Sequence, residues 1–188
     1  DGQLVKDGNV TNYYSKAGET LVGKAVPDWM GGLTNTFTYK NFDLSFMISF
    51  QTGAKMFDYT GYFLRYSDGV RVGSFNMEQE VAGNYWKKPG DVVEHPKPIY
   101  GNPYRSDKFS SRTLVSTDNV RMREITFGYR VPISKKYISN LRVFFKANNP
   151  FMIYNAAGSI DPDVDTNGYR QTDTPPTKSF MFGLNFEL

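Results

Sequence analysis

Apolar and polar residues alternate with a period of two along several stretches of the chain, the mark of strands with two unlike faces. From Phe42 to Gln51, Phe42, Leu44, Phe46, Ile48 and Phe50 fall on one side, and Asp43, Ser45, Met47, Ser49 and Gln51 on the other. The end of the chain repeats the pattern: Phe180, Phe182, Leu184, Phe186 and Leu188 oppose Ser179, Met181, Gly183, Asn185 and Glu187. Leu141, Val143, Phe145 and Ala147 alternate with Arg142, Phe144, Lys146 and Asn148, and Ile125, Phe127 and Tyr129 with Glu124, Thr126 and Gly128. A weaker run sets Leu33, Phe37 and Tyr39 against Thr34, Thr36 and Thr38. The alternation predicts five strands, near 32–39, 42–51, 119–130, 140–148 and 178–188. Helix signals are few; Ser74, as an N-cap, predicts one short helix ending near Gly83.

The connections between these strands run short, long, short, long: Lys40-Asn41, then 52–118, then Val131–Ser139, then 149–177. Loops of that length are uncommon in compact soluble domains. An antiparallel up-and-down sheet with one tight rim and one elaborated rim has this rhythm, and outer-membrane barrels have short periplasmic turns and long extracellular loops. A barrel whose last strand ends in the periplasm would make 52–118 and 149–177 extracellular. Strands of about 9–11 residues suit a tilted bilayer crossing, but five are too few to close a barrel, which takes about eight. The predicted fold is therefore all-β, an antiparallel part of a larger transmembrane barrel. A soluble β-sandwich with a carbohydrate-binding site fits the same alternation. Arg121 and Arg123 share the parity of Ile125, Phe127 and Tyr129, so either they lie at the extracellular rim or a bulge turns them inward.

Composition narrows the classes. Thirteen Tyr, 15 Phe and 2 Trp in 188 residues argue against disorder and suit aromatic girdles. The longest nearly apolar stretch, Leu44–Phe50, is far too short for a membrane helix. The lack of cysteine excludes a disulfide scaffold and a thiolate metal site. A net charge of +3, scattered along the chain, gives no reason to expect nucleic acid. The first residues have no basic and apolar leader, so either the chain is cytoplasmic or, as the barrel reading expects, its natural start lies upstream. There is no Ser-His-Asp order, Gly-rich phosphate loop or HExxH, so neither an enzyme nor a cofactor is expected.

Six motifs stand out along the chain: Val26-Pro27-Asp28-Trp29-Met30-Gly31-Gly32 at a strand entry, Tyr39-Lys40-Asn41-Phe42-Asp43-Leu44-Ser45 at a hairpin, Tyr85-Trp86-Lys87-Lys88-Pro89-Gly90-Asp91 in a loop, then Asp118 to Tyr129, Asn148-Asn149-Pro150-Phe151 and Asp161-Pro162-Asp163. In this order they resemble the C-terminal barrel of a SusC-like (RagA-like) TonB-dependent outer-membrane transporter, the last motif resembling the family's Asp-Pro-Glu. The chain ends in Leu188 where such proteins often end in Phe. The resemblance implies a barrel of about 22 strands in the Gram-negative outer membrane. It also implies import of glycans or peptides for nutrient uptake or polysaccharide utilisation, energy from the TonB complex, and a SusD-like lipoprotein lid. The plug and TonB box would lie upstream of Asp1.

Candidate contact residues follow from composition and position. Tyr59, Tyr62, Tyr66, Tyr85, Trp86, Tyr100 and Tyr104 lie in the first long loop and are candidates for sugar stacking or lid contact; equally, a loop this long needs a core of its own. Asp163, Asp165 and Asn167, followed by Gly168, match the first half of a calcium loop, but Thr174 stands where a bidentate Glu is needed. Calcium is a weak candidate, and no metal site is expected. His95, between Glu94 and Pro96, reads as a solvated loop residue. Phe182, Leu184, Phe186 and Leu188 resemble the C-terminal signal read by the outer-membrane assembly machinery.

Overall fold

The computed structural model describes residues 4–6, 9–11, 13–71, 73–133, 138–163, 167–171 and 174–187, with side chains from residue 11 onward. The strands are β1 (Leu4–Lys6), β2 (Asn9–Thr11), β3 (Trp29–Tyr39), β4 (Phe42–Thr52), β5 (Lys55–Asp58), β6 (Leu114–Ser116), β7 (Asn119–Val131), β8 (Asn140–Asn155), β9 (Tyr169–Arg170) and β10 (Ser179–Glu187). One α-helix, α1 (Tyr59–Leu64), is present among the described residues. Two compact units result: Ala25–Lys55, Ser116–Val164 and Thr174–Leu188 form one, and Asp1–Lys24, Met56–Val115 and Asp165–Asp173 the other.

The first unit is an antiparallel five-stranded sheet in the order β10-β8-β7-β4-β3. Tyr39 pairs with Phe42 across the Lys40-Asn41 turn, and Phe42 pairs in turn with Tyr129. At the other end Trp29 pairs with Thr52, and Asn119 with Asn155. The two short connections therefore leave the sheet at one end and the two long ones at the other. β3 begins at Trp29 rather than 32, and β8 runs to Asn155 rather than 148. The extension of β8 escaped the period-two pattern because the register breaks at Asn149-Pro150.

That break is one side of a pair of irregularities. On β7, Met47 of β4 faces Glu124 while Ile48 faces Met122, so Arg123 is an extra residue without a partner on β4. On β8, Asn148 faces Glu124 while Phe151 faces Met122, leaving Asn149 and Pro150 opposite Arg123. Proline has no N–H to give a ladder and within sheets is confined to edges and bulges; Pro150 sits at a bulge of an inner strand. One inserted residue reverses the parity of everything beyond it. Val120 and Met122 move to the side of Phe50 and Ile48, and Arg121 to the side of Ser49. Of the two sequence-based alternatives for the arginines, the bulge is the one realised.

The two faces are chemically distinct along their length. One carries Phe37, Phe42, Phe127, Phe145, Phe182 and Phe186 with their neighbours in register. Much of it is uncovered: Trp29 is 74% exposed, Phe182 82% and Leu184 65%. A sandwich would bury this face under a second sheet; in lipid it is already solvated. The opposite face pairs its charges. Lys146 Nζ lies 2.7 Å from Glu124. Asp43 on β4 and Arg142 on β8 meet across the intervening β7, Nε to Oδ1 2.9 Å. They can do so because the residue between them is Gly128, where a Cβ would collide with both side chains. Phe144 fills the space left by Gly183 on β10 in the same way.

Two substitutions test this arrangement. Gly128→Val should separate Asp43 from Arg142 and cost about 1–3 kcal/mol, the scale for leaving polar partners unpaired, read as a lower urea midpoint of the full-length protein in detergent. Phe186→Asp places a carboxylate on the apolar face at a cost of about 1–3 kcal/mol depending on depth. It should lower the amount of full-length protein in the outer membrane, whereas Glu187→Gln should not; unchanged levels for Phe186→Asp would contradict a lipid-facing Phe186.

Candidate functional site

The reversal of parity at Arg123 creates a cluster near the long-loop end of the sheet's polar face. Arg121, only 4% exposed, binds Asp161 and reaches Asp163 with Nε at 3.1 Å. Arg123 holds Asp163 through Nη2 at 3.0 Å and Ser49 Oγ through Nε at 2.6 Å. The Asp163 amide donates to Asp161 Oδ1 at 3.0 Å, and Pro162 between them is buried. Upstream, the Asn155 side chain donates to the carbonyls of Gly158 (2.8 Å) and Ile160 (2.7 Å) and accepts from the Ala157 amide (3.0 Å). Asp161-Pro162-Asp163 is thus strapped to the polar wall by two guanidinium groups. In this arrangement the Asp163 carboxylate is engaged by arginines. Asn167 instead accepts the Tyr169 amide at 2.9 Å; Asp165 lies outside the described residues.

The second unit builds its own core. Phe57 pairs with Tyr169 and Asp58 with Arg170 in parallel register between β5 and β9. Asp58 is fully buried and holds Arg170 at 2.8 Å and Arg65 at 3.2 Å; Arg65 also meets Glu78 (3.0 Å) and Glu80 (3.2 Å). Asp68, at a positive φ of 47°, takes Arg112 at 2.9 Å and the Ser106 hydroxyl at 2.8 Å. Buried ion pairs need partners to offset desolvation: Asp68 accepts hydrogen bonds on both oxygens, whereas Asp58 accepts one from Arg170 on Oδ1 and has only the ion-pair contact with Arg65 at Oδ2.

The aromatic candidates separate by burial. Tyr62 and Tyr66 are buried. Tyr62 packs on Phe57, Tyr59, Phe63 and Phe109, with centroids 5.0–6.3 Å away. Tyr59 also meets Tyr169 at 5.3 Å. Tyr85 and Trp86 are half-buried, Tyr104 pairs edge-on with Tyr13 at 5.3 Å, and Tyr100 is 86% exposed. Tyr59 and Tyr62 are therefore together, while Tyr66, Tyr100 and Tyr104 stand outside that cluster's ring contacts. The helix forms at Tyr59–Leu64, not at Ser74, because the Tyr59, Tyr62 and Phe63 rings pack on one another there. Residues 79–81 make only a 3-10 turn. Phe182, Leu184 and Phe186 lie on the apolar face of β10; Leu188 is outside the described residues.

His95 is not solvated. It is 2% exposed, its ring lies 5.6 Å from that of Tyr66, and neither ring nitrogen has a partner among the described residues. Its backbone is the fixed point: the carbonyl accepts from Trp86 at 2.9 Å, and the amide donates to Asn84 at 3.3 Å. Burial pushes its pKa below the ordinary 6.5, and Arg112 adds to this against Glu94, Asp68 and Glu80. Burial likewise raises the Tyr66 phenol.

Comparison with known proteins agrees with this architecture. No protein-family profile matches the chain. It is 24% identical over 201 residues to TonB-dependent receptor P3 of Formosa agariphila, covering 100% of this chain and 19% of the receptor. TonB-dependent receptor P39 of the same organism is 25% identical over 180 residues, covering 90% and 17%. The chain thus spans about a fifth of the length of these relatives. Among solved structures, the RagAB peptide importer in its open-open state superposes with a TM-score of 0.78 at 20% identity, covering 99% of this chain and 20% of that one. The RagAB peptide transporter gives 0.77 at 21%, covering 97% and 20%. Fold and relatives together define a fragment of an outer-membrane β-barrel. More particularly, the chain resembles a segment of a SusC-like (RagA-like) TonB-dependent transporter, and its relatives are receptors and importers rather than enzymes.

Because the native fold disfavours charged His95, the unfolded chain takes up its proton first as pH falls. The contribution of this site is complete above about pH 6.5 and is lost as pH drops below it. The hydrogen-exchange protection of Asn84–His95 in the full-length protein, taken relative to the intrinsic rate at each pH, should therefore fall on acidification. His95→Phe should remove that extra acid sensitivity; a variant as acid-sensitive as the parent would show that another group is responsible.

Proposed function

We propose that this chain is the C-terminal portion of the barrel of a TonB-energised outer-membrane importer. The carrying observation is the pairing of an uncovered apolar face with a charge-paired polar face on strands that superpose on the RagAB peptide importer. In this reading the apolar face meets lipid and the polar face lines the barrel. Loops 52–118 and 149–177 are extracellular, which is supported by their leaving the same end of the sheet. A SusD-like surface lipoprotein covers that end. The exposed Tyr100 suits contact with such a lid, while Tyr59, Tyr85, Trp86 and Tyr104 keep ring surface available to lid or ligand. Tyr62 and Tyr66 act from beneath by supporting these segments. The cargo is a glycan or a peptide; the name of the RagAB importer supports the peptide, and the aromatic load of the loop supports the glycan.

In the native host, deletion of the full-length gene should abolish growth on the cognate oligomer, and so should deletion of TonB. The surface lipoprotein should co-purify with the full-length transporter. Growth that persists without TonB would identify a passive porin instead.

A further inference from the structure

The loop unit contains five arginines: Arg65, Arg71, Arg105, Arg112 and Arg170. Four of them face carboxylates within the unit: Arg65 and Arg170 face Asp58, Arg112 faces Asp68, and Arg105 faces Asp107. Arg71 does not. Among the described residues its guanidinium meets only rings, lying 4.1 Å over Phe63, 5.6 Å from Tyr62 and 6.0 Å from Phe75. It is half-buried, and Phe75 beside it is 48% exposed. The position is built: the turn through Asp68 (φ 47°) and Gly69 (φ 89°) brings Arg71 back over α1, and its carbonyl accepts from the Ser74 amide at 2.9 Å.

A guanidinium stacked on rings uses its flat face and leaves its in-plane N–H donors free. That fork matches the two oxygens of a carboxylate or sulfate, and stacking fixes its plane before the ligand arrives. The adjoining exposed ring of Phe75 offers an apolar surface to the body that bears the anion. We propose that Arg71, with Phe63 and Phe75, is a binding subsite for an acidic sugar residue, whose carboxylate or sulfate takes the guanidinium edge while its ring lies against Phe75. This rests on the importer reading and narrows its cargo from glycan or peptide to an anionic oligosaccharide.

The test is calorimetric binding to the full-length transporter in detergent, with tetragalacturonate, a sulfated galactan tetramer, neutral galactotetraose and tetraglutamate as probes. An acidic sugar should bind on the order of tenfold more tightly than the neutral one, the scale of one charge-assisted contact. The comparison of uronate with sulfate then shows which anion the fork takes. Arg71→Gln should abolish the preference, bringing acidic and neutral sugars to equal affinity, Arg71→Lys should keep part of it, and Arg105→Gln should not alter it. Equal binding of acidic and neutral sugars, no effect of Arg71→Gln, or a preference for tetraglutamate over both acidic sugars would overturn the proposal. TonB-dependent growth measured on the same strains separates the two readings: an importer that still works with an inert Arg71 loses this subsite and nothing else.

Discussion

A strand that crosses lipid can carry charge on only one of its two faces, since a charge on the other meets hydrocarbon with no partner. The rest of the sheet is arranged around this constraint. Asp43, Glu124, Arg142 and Lys146 all project to one side and are paired there, while the other side keeps phenylalanine and leucine in register across neighbouring strands. These two pairs neutralise the charges at the middle of the polar wall. The Asp43–Arg142 pair also ties β4 to β8 across β7, a distance that side chains span only because Gly128 leaves the space between them empty.

The same constraint explains the bulge. Continued in regular alternation, β7 would deliver Arg121 and Arg123 to the apolar face. The extra residue at Arg123, matched by Asn149 and Pro150 on β8, turns both arginines to the polar side. There they become the anchor for Asp161-Pro162-Asp163. A solution to a solvation problem in the strand thus provides the attachment point of a long connection.

The loop unit lies under a different rule. It must hold some sixty residues of connection in one arrangement with little regular structure. It does so with rings packed around Phe57 and Tyr62 and with two buried carboxylates: Asp58 joins nearby Arg65 to distant Arg170, and Asp68 is held by Ser106 and Arg112. Arg71 departs from that economy, stacked on rings and without a carboxylate among the described residues. A free in-plane donor edge in an otherwise matched set of arginines marks a place where the fold is complete but the chemistry is not.

By itself the sequence determined the five strands of the large sheet, because period-two alternation is a local property and each of these strands carries its own two faces; the short strands β1, β2, β5, β6 and β9 are too brief to show it. The sequence also determined the short-long rhythm of connections and, through motifs such as Tyr39 to Ser45, the resemblance to TonB-dependent transporters. Only the tertiary structure decided where alternation is interrupted: nothing local distinguishes Arg123 as a bulge, and its effect appears only when β4 and β8 are laid beside β7. The burial of His95, the meeting of Asp58 with Arg170, and the holding of Asp163 by two arginines were equally out of reach. Each joins residues far apart in the chain, and which distant donor neutralises which carboxylate is a property of the folded arrangement, not of spacing.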